Sequence, residues 1–282
     1  MSLNRDAVVK LLKEAAKAGA TEVHFKVPSR PLMRVDDALT QTSLPPVTPR
    51  DAQEAVFALC SLAQKELPVA TITDEAFSFG LHGVGRFRAY IYRQRGSLSA
   101  IVQRVNTNPP ALYEIGVDAS VEAHVGTAGL FLLCGEERQA LLGALIAGYN
   151  ARDRGHAVVL ESPLNYLYRD AVATIAQREV GTDVPDFRTG IRQAKRVGAD
   201  LLVIGEIDDA DTADAVLTAC ENGMSVISTV AAPVTDDAMW WVERLFLGEH
   251  RVDAQRRLKR QVNAIVAVHP NKQFEVAKPD TV

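Results

Sequence analysis

The residues whose types and spacing could do chemistry collect at three places in the 282-residue chain. The first is Gly135-Glu136-Glu137-Arg138-Gln139-Ala140-Leu141-Leu142, which follows the apolar run GLFLLC and leads into a helical pattern. A glycine turn between a buried strand and a helix is where a phosphate-binding loop carries Gly-x-x-x-x-Gly-Lys-Ser/Thr. Counted from Gly135, Ala140 stands at the second glycine, Leu141 at the lysine and Leu142 at the metal-binding hydroxyl. The chemistry needs the missing groups. Glycines let backbone amides wrap phosphates, the lysine neutralises their charge and the hydroxyl holds magnesium. Glu136 and Glu137 add negative charge that repels a polyphosphate yet suits a helix N-terminus. On its own the stretch reads as a structural strand, turn and helix.

The second place is a pair of strand ends. Leu201-Leu-Val-Ile-Gly-Glu206-Ile-Asp-Asp209 is an apolar run followed by an acid, the position of a Walker B carboxylate. Val159-Leu160-Glu161-Ser162-Pro163 offers another carboxylate at the same sheet edge. Two such acids could share a metal or a water; solvated loop acids are the plain alternative. The third place is the hairpin Arg86-Phe-Arg-Ala-Tyr-Ile-Tyr-Arg-Gln-Arg95. Alternation puts Arg86 and Arg88 on one strand face with Tyr90 and Tyr92, while Arg93 and Arg95 cluster near the turn. Such a surface could bind phosphates or single-stranded nucleic acid, form a protein interface, or be an ordinary solvated face. Six histidines show no metal-ligand spacing. Trp240-Trp241 reads as packing, with one of the adjacent indoles turned away from any single core stripe.

The elements that must position these groups fall into two patterns. Helical periodicity from about Asp6 to Ala18 stops at Gly19, and Val23, Phe25 and Val27 then alternate with polar residues as in a half-buried strand. A short strand, Leu32 to Val35, leads through SLPPVTP to a helix capped by Thr48, with Pro49 at its first position and Asp51 three residues on, running to about Leu67. Antiparallel strands fill Ile72 to Arg104, separated by glycine turns. This is a small α+β domain, and Asn106-Thr-Asn-Pro-Pro110 marks its end. Beyond it, GLFLLC, AVVLE, LLVIGE and SVIST are nearly continuous apolar runs, the look of parallel strands buried on both faces. Helices are expected between them at Glu137–Tyr149, Asp186–Val197, Asp211–Asn222 and Thr235–Leu247. Ligands of such a layer sit at the carboxyl ends of the strands.

Composition agrees with a folded two-domain protein: 47% hydrophobic and 23% charged residues exclude collagen-like and wholly disordered chains. Lysine plus arginine number 31 against 35 acids, a net charge of −4, which argues against a dedicated nucleic-acid protein. No apolar run approaches the roughly 20 residues of a membrane-spanning helix, and no export signal is visible. Three widely spaced cysteines suit reduced thiols and read as small buried hydrophobes.

Four segments carry a resemblance: LLKEAAKAGATEVHFKVPSRPLMRVDD, RFRAYIYRQRGSLSAIVQRV, NPPALYEIGV and, most specific, AQREVGTDVPDFRTGIRQAKRVGADLLVIGEIDDADT. In order along the chain, from about Leu11 to Pro270, they resemble the type IV pilus retraction ATPases, the PilT-like branch of the secretion-motor superfamily. The resemblance implies an α/β chain with an N-terminal PAS-like α+β domain over 1–106, a linker over 107–112 and a RecA-like P-loop NTPase-type domain over 113–282. It also implies a ring, usually hexameric, with nucleotide between subunits. Carried over by position, Glu206 matches the Walker B glutamate and Glu161 the first acid of the Asp box. Arg86, Arg88, Arg93 and Arg95 match the hairpin whose arginines approach a nucleotide. The departures cluster where the chemistry is done. The phosphate loop has lost its inner glycine, lysine and hydroxyl at Ala140, Leu141 and Leu142, and alignment of the flanking helix suggests it is shortened. Ser162 and Asn165 replace Asp-box acids, Asp208 replaces a Walker B arginine, and Ala231 stands at the histidine of the His box.

The leading expectation is therefore a pseudo-ATPase of a type IV pilus or related secretion or motility system, structural or regulatory, with no cofactor. It would be a homo-oligomeric ring or the partner of an active motor, cytoplasmic, and compatible with peripheral contact to an inner-membrane platform protein. The alternative is a weak ATPase using ATP and magnesium, with Glu206 as base and the hairpin arginines replacing the lysine. Nucleic-acid binding by the hairpin ranks last.

Overall fold

The structure, a computed structural model, describes residues 3–68, 71–271 and 273–277. The chain divides into two compact units, Met1–Val105 and Asn106–Val282.

The first unit begins with α1 (Arg5–Lys17), capped by the Asn4 side chain, which accepts from the Ala7 amide at 3.0 Å. Strands β1 (Glu22–Phe25), β2 (Leu32–Val35), β3 (Ala38–Gln41), β4 (Asp74–Leu81), β5 (Gly85–Gln94) and β6 (Ser97–Arg104) form an antiparallel sheet ordered β3-β2-β1-β6-β5-β4. Helix α2 (Pro49–Leu62) starts at the capping box read from the sequence: Thr48 Oγ1 accepts from the Asp51 amide at 3.2 Å and Asp51 accepts from the Thr48 amide at 2.9 Å. It ends five residues earlier than expected, because Gln64 takes a left-handed conformation (φ 54°) and the Lys65 amide closes back on the Cys60 carbonyl. Strand β3 was invisible to periodicity because all four of its residues are exposed; it is made by a two-residue turn at Asp36-Asp37, both at positive φ. Val23 and Phe25 face the core formed with α1 and α2, as their alternation predicts. On the other face, burial alone would raise the Glu22 carboxyl, but hydrogen bonds from Arg34, His24 and Gln103 hold it at about 2, joining β1, β2 and β6.

The second unit has a central sheet of β7 (Gly129–Cys134), β8 (His156–Glu161), β9 (Thr174–Glu179), β10 (Leu201–Ile204), β11 (Ser225–Thr229), β12 (Val262–Val268) and β13 (Phe274–Ala277), ordered β13-β12-β7-β11-β10-β8-β9. All neighbours are parallel except the β12-β13 pair. Helix α3 (Arg138–Arg152) covers one face; α4 (Phe187–Arg196), α5 (Ala210–Glu221), α6 (Thr235–Glu243) and α7 (Glu249–Gln261) cover the other. Strand β7 shows why the apolar runs are continuous. Phe131 and Leu133 enter the core under α3, while Leu130, Leu132 and Cys134 enter the opposite core. Strands β9, β12 and β13 and helix α7 extend beyond the elements read from the sequence. The segment expected as a linker, 107–112, lies with this unit: Asn106 bridges to Tyr166, and Leu112 packs against the core beneath α3. All three cysteines are buried and free; burial pushes the thiols of Cys134 and Cys220 up to about 12. Among the described residues no helix is long and apolar enough to cross a membrane.

Candidate functional site at the carboxyl edge of the second sheet

Strands β7, β8, β10 and β11 run parallel, so Gly135, Glu161, Glu206 and the residues after Thr229 emerge at one edge. The turn after β7 is short. Gly135, Glu136 and Glu137 alone separate Cys134 from the first residue of α3. Of the four positions counted as a phosphate loop, only Gly135 is therefore a loop residue; Ala140, Leu141 and Leu142 lie within the helix. Leu141 and Leu142 are 0% and 1% exposed, packed in the core beneath the sheet. Gly135 is required by its own geometry. Its φ is +84°, and a Cβ there would stand 2.3 Å from the Val268 carbonyl oxygen.

Two of the three backbone donors of this turn already have partners. The Gly135 amide donates to the Ala232 carbonyl at 2.8 Å and the Glu137 amide to the Val268 carbonyl at 3.2 Å. In a phosphate loop such amides point at the ligand; here they stitch the turn to β12 and to the segment following β11. The Gly135 and Glu137 amides are engaged, the positions counted as lysine and hydroxyl are the core residues Leu141 and Leu142, and Ala231 offers no polar group.

Side chains complete the closure. Arg138, at the start of α3, donates to Glu206 Oε1 at 3.3 Å and to the Gly135 carbonyl at 3.3 Å. Next to it, Gln139 Nε2 donates to Thr229 Oγ1 at 3.2 Å and to the Gly205 carbonyl at 3.3 Å. Thr229 Oγ1 in turn donates to the Gly205 carbonyl at 2.6 Å. Asn165 links the other end: its Nδ2 donates to Gln139 Oε1 at 3.1 Å and to Glu161 Oε1 at 3.0 Å, while its amide reaches Glu161 Oε2 at 3.3 Å. The structure thus brings Glu206 and Glu161 to one edge and joins each to the first turn of α3 rather than to the other. Glu161 is 3% exposed, and burial pushes its carboxyl up to about 7 against the lowering effect of Asn165, with Glu179 adding to the rise. Asp208 is also raised, by partial burial and by its neighbours Asp209 and Glu206. Asp209 caps α5, accepting from the Thr212 amide at 2.8 Å. Among the described residues no group of three or more His, Cys, Asp or Glu is placed to hold a metal.

The arginines of the hairpin belong to the first unit. Burial alternates along β5 as predicted: Phe87, Ala89 and Ile91 are buried, and Arg86, Arg88, Tyr90 and Tyr92 line the opposite face. Arg88 lies over the Tyr90 ring, 4.7 Å from its centroid. Arg93 donates to the Gly96 carbonyl of its own turn at 3.3 Å and to the carbonyl of Ile72, just before β4, at 2.7 Å. Arg95 sits at φ 48° in the two-residue turn with Gly96. Trp240 is half exposed, as adjacent indoles require, while the Arg244 guanidinium stacks 3.7 Å from the centroid of the Trp241 ring.

Sequence reading missed Arg138, Gln139 and Thr229 as the partners of the strand-end acids. The one visible signal was two polar, hydrogen-bonding residues in the helical turn where a phosphate loop would hold its ligand.

Comparison with known proteins agrees with this architecture. Residues 135–270 match the family described as Type II/IV secretion system protein. The chain is 25% identical over 262 residues to the type IV pilus ATPase PilU of Pseudomonas aeruginosa, covering 92% of this chain and 68% of that one. It is 24% identical over 265 residues to the type IV pilus retraction ATPase PilT of the same organism, covering 92% and 76%. The crystal structure of the pilus retraction motor PilT with bound ADP superposes with a TM-score of 0.78 at 26% identity, over 92% of this chain and 77% of that one. The Legionella pneumophila ATPase DotB shares the fold, with a TM-score of 0.79 at 18% identity over 98% and 80%. An N-terminal α+β unit, a RecA-like parallel sheet and these matches together make the chain similar to the PilT-like type II/IV secretion ATPases.

Proposed function

We propose that the chain is a pseudo-ATPase of a type IV pilus or related secretion or motility system, acting as a structural or regulatory partner of an active motor. The observation that carries this reading is the closed strand edge. The amides of Gly135 and Glu137 are consumed by the Ala232 and Val268 carbonyls, and Arg138 occupies Glu206, the position of the Walker B carboxylate. Hydrolysis needs a cation on the transferring phosphoryl group and a positioned water, and loss of the cation alone costs about 10³-fold or more. Leu141 and Leu142 supply neither charge nor hydroxyl, and Glu206 must leave Arg138 before it could orient water.

The PilT-like relatives support assembly as a homo-oligomeric, hexameric ring, or incorporation beside an active ATPase, at the cytoplasmic face of an inner membrane. Each of these assignments belongs to the proposal. The competing reading is a weak ATPase in which the hairpin arginines Arg86, Arg88, Arg93 and Arg95 replace the lysine.

Calorimetric titration with magnesium-ATP and ADP, beside an intact family ATPase as positive control, separates the two. The expected result is no binding at millimolar nucleotide and no ATP turnover. Micromolar binding with magnesium-dependent turnover abolished by Glu206→Gln would overturn the proposal and establish the weak ATPase.

A further inference from the structure

On the face of the second sheet opposite α3, helices α4 and α5 leave between them a groove of about 260 Å³. Arg188, Arg192 and Lys195 stand along one side of it, at i, i+4 and i+7 of α4, all exposed. Its floor is apolar: Ile191 is 4% exposed, Ala219 is 4% exposed and Met224 is half-buried. Asp214, the carboxylate lining the groove, is already engaged by Arg257 at 2.6 Å. None of the three cations forms a salt bridge among the described residues; Arg192 donates to Thr189 Oγ1 on its own helix. A chain with a net charge of −4 thus carries one concave surface where three cations overhang an apolar floor.

We infer that the α4–α5 groove binds an acidic amphipathic helix of a partner protein. Residues at i, i+4 and i+7 span about 10 Å of helix at 1.5 Å per residue, the repeat with which a second helix presents carboxylates along one stripe. An apolar stripe beside those carboxylates would cover Ile191, Ala219 and Met224, and the small side chains of α5 leave room for close approach. Charge complementarity selects the acidic sign and gives the encounter its specificity. Two other anionic partners fit less well. Single-stranded nucleic acid stacks its bases on aromatic rings, and none lines this groove; an anionic membrane meets a protruding apolar face with exposed large side chains, whereas this floor is recessed. The inference is independent of whether the strand edge binds nucleotide, because the groove shares no residue with that network.

The test uses the full chain and two labelled amphipathic helical peptides. One carries glutamates at i, i+4 and i+7 beside a leucine stripe; its twin carries lysines at those positions. Fluorescence anisotropy is expected to show saturable, salt-sensitive binding of the glutamate peptide and at least about tenfold weaker binding of its twin. The triple variant Arg188→Glu, Arg192→Glu, Lys195→Glu, its fold checked by circular dichroism, is expected to lose binding at least about tenfold. Arg256→Glu, on the exposed face of α7, is expected to leave binding unchanged. No saturation at millimolar protein, or equal binding by the triple variant, would overturn the inference. Tighter binding of a single-stranded oligonucleotide or of anionic vesicles through the same three residues would also overturn it.

Discussion

Leu141 and Leu142 stand where the count from Gly135 puts the lysine and hydroxyl of a phosphate loop. The strand–turn–helix survives, but the two side chains that would face a triphosphate lie at 0% and 1% exposure among the core residues beneath the sheet. Restoring the motif by Leu141→Lys is therefore expected to bury an ammonium group without a partner and to lower unfolding stability by about 3 kcal/mol or more, read by chemical denaturation, with no gain of nucleotide binding. Gly135→Ala is expected to destabilise as well, because its Cβ would meet the Val268 carbonyl oxygen at 2.3 Å and the backbone there is left-handed; a drop in melting temperature of several degrees checks this. Glu161 makes a pH-dependent prediction. Its carboxyl is raised by burial to about 7, above its unfolded value of 4.5. Between those values the unfolded chain has released a proton that the folded chain keeps, so stability falls as pH rises through this window. Glu161→Gln keeps an acceptor for Asn165 and removes the titration. Its melting temperature is expected to exceed that of the unsubstituted protein at pH 8 and to match it near pH 4.5. Equal differences at both pH values would remove burial of the charge as the cause.

The elements follow from short-range chemistry wherever caps and periodicity agree. Thr48, Pro49 and Asp51 mark the start of α2 in the sequence, and the reciprocal hydrogen bonds of the capping box realise it. Thr48→Ala is expected to cost about 1 kcal/mol in urea denaturation, with most of the loss recovered by Thr48→Ser. The ends of elements were harder to read. Helix α2 stops at Leu62 because of one left-handed residue, Gln64, a conformation that glutamine seldom announces. Strand β3 has four exposed residues and so no hydrophobic alternation at all. Helix α7 has only Ala254 and Leu258 buried in a run of charged residues, which hides its periodicity. The chemistry of α3 was legible in part: Gly135 and the missing lysine stood in plain view, whereas Arg138 and Gln139 looked like ordinary helix-surface residues.

As a whole, the molecule is two separately cored units. The apolar cluster beneath the first sheet draws every member from residues 3–102, and the two clusters on either side of the second sheet draw theirs from residues after 112. A chain of residues 1–105 is therefore expected to unfold cooperatively on heating, monitored by circular dichroism; a non-cooperative melt would mean that its core needs the second unit. The amino-acid order alone was enough to reveal the two units, the parallel sheet and the acids at its strand ends. Each of those rests on residues close together in the chain, where periodicity, caps and turn chemistry act. The closed strand edge could not be read in the same way. Arg138 meets Glu206 across 68 positions and Gln139 meets Thr229 across 90. Those pairs exist because β7, β11, β10 and β8 lie side by side and end together, an order set by the packing of helices on both faces of the sheet.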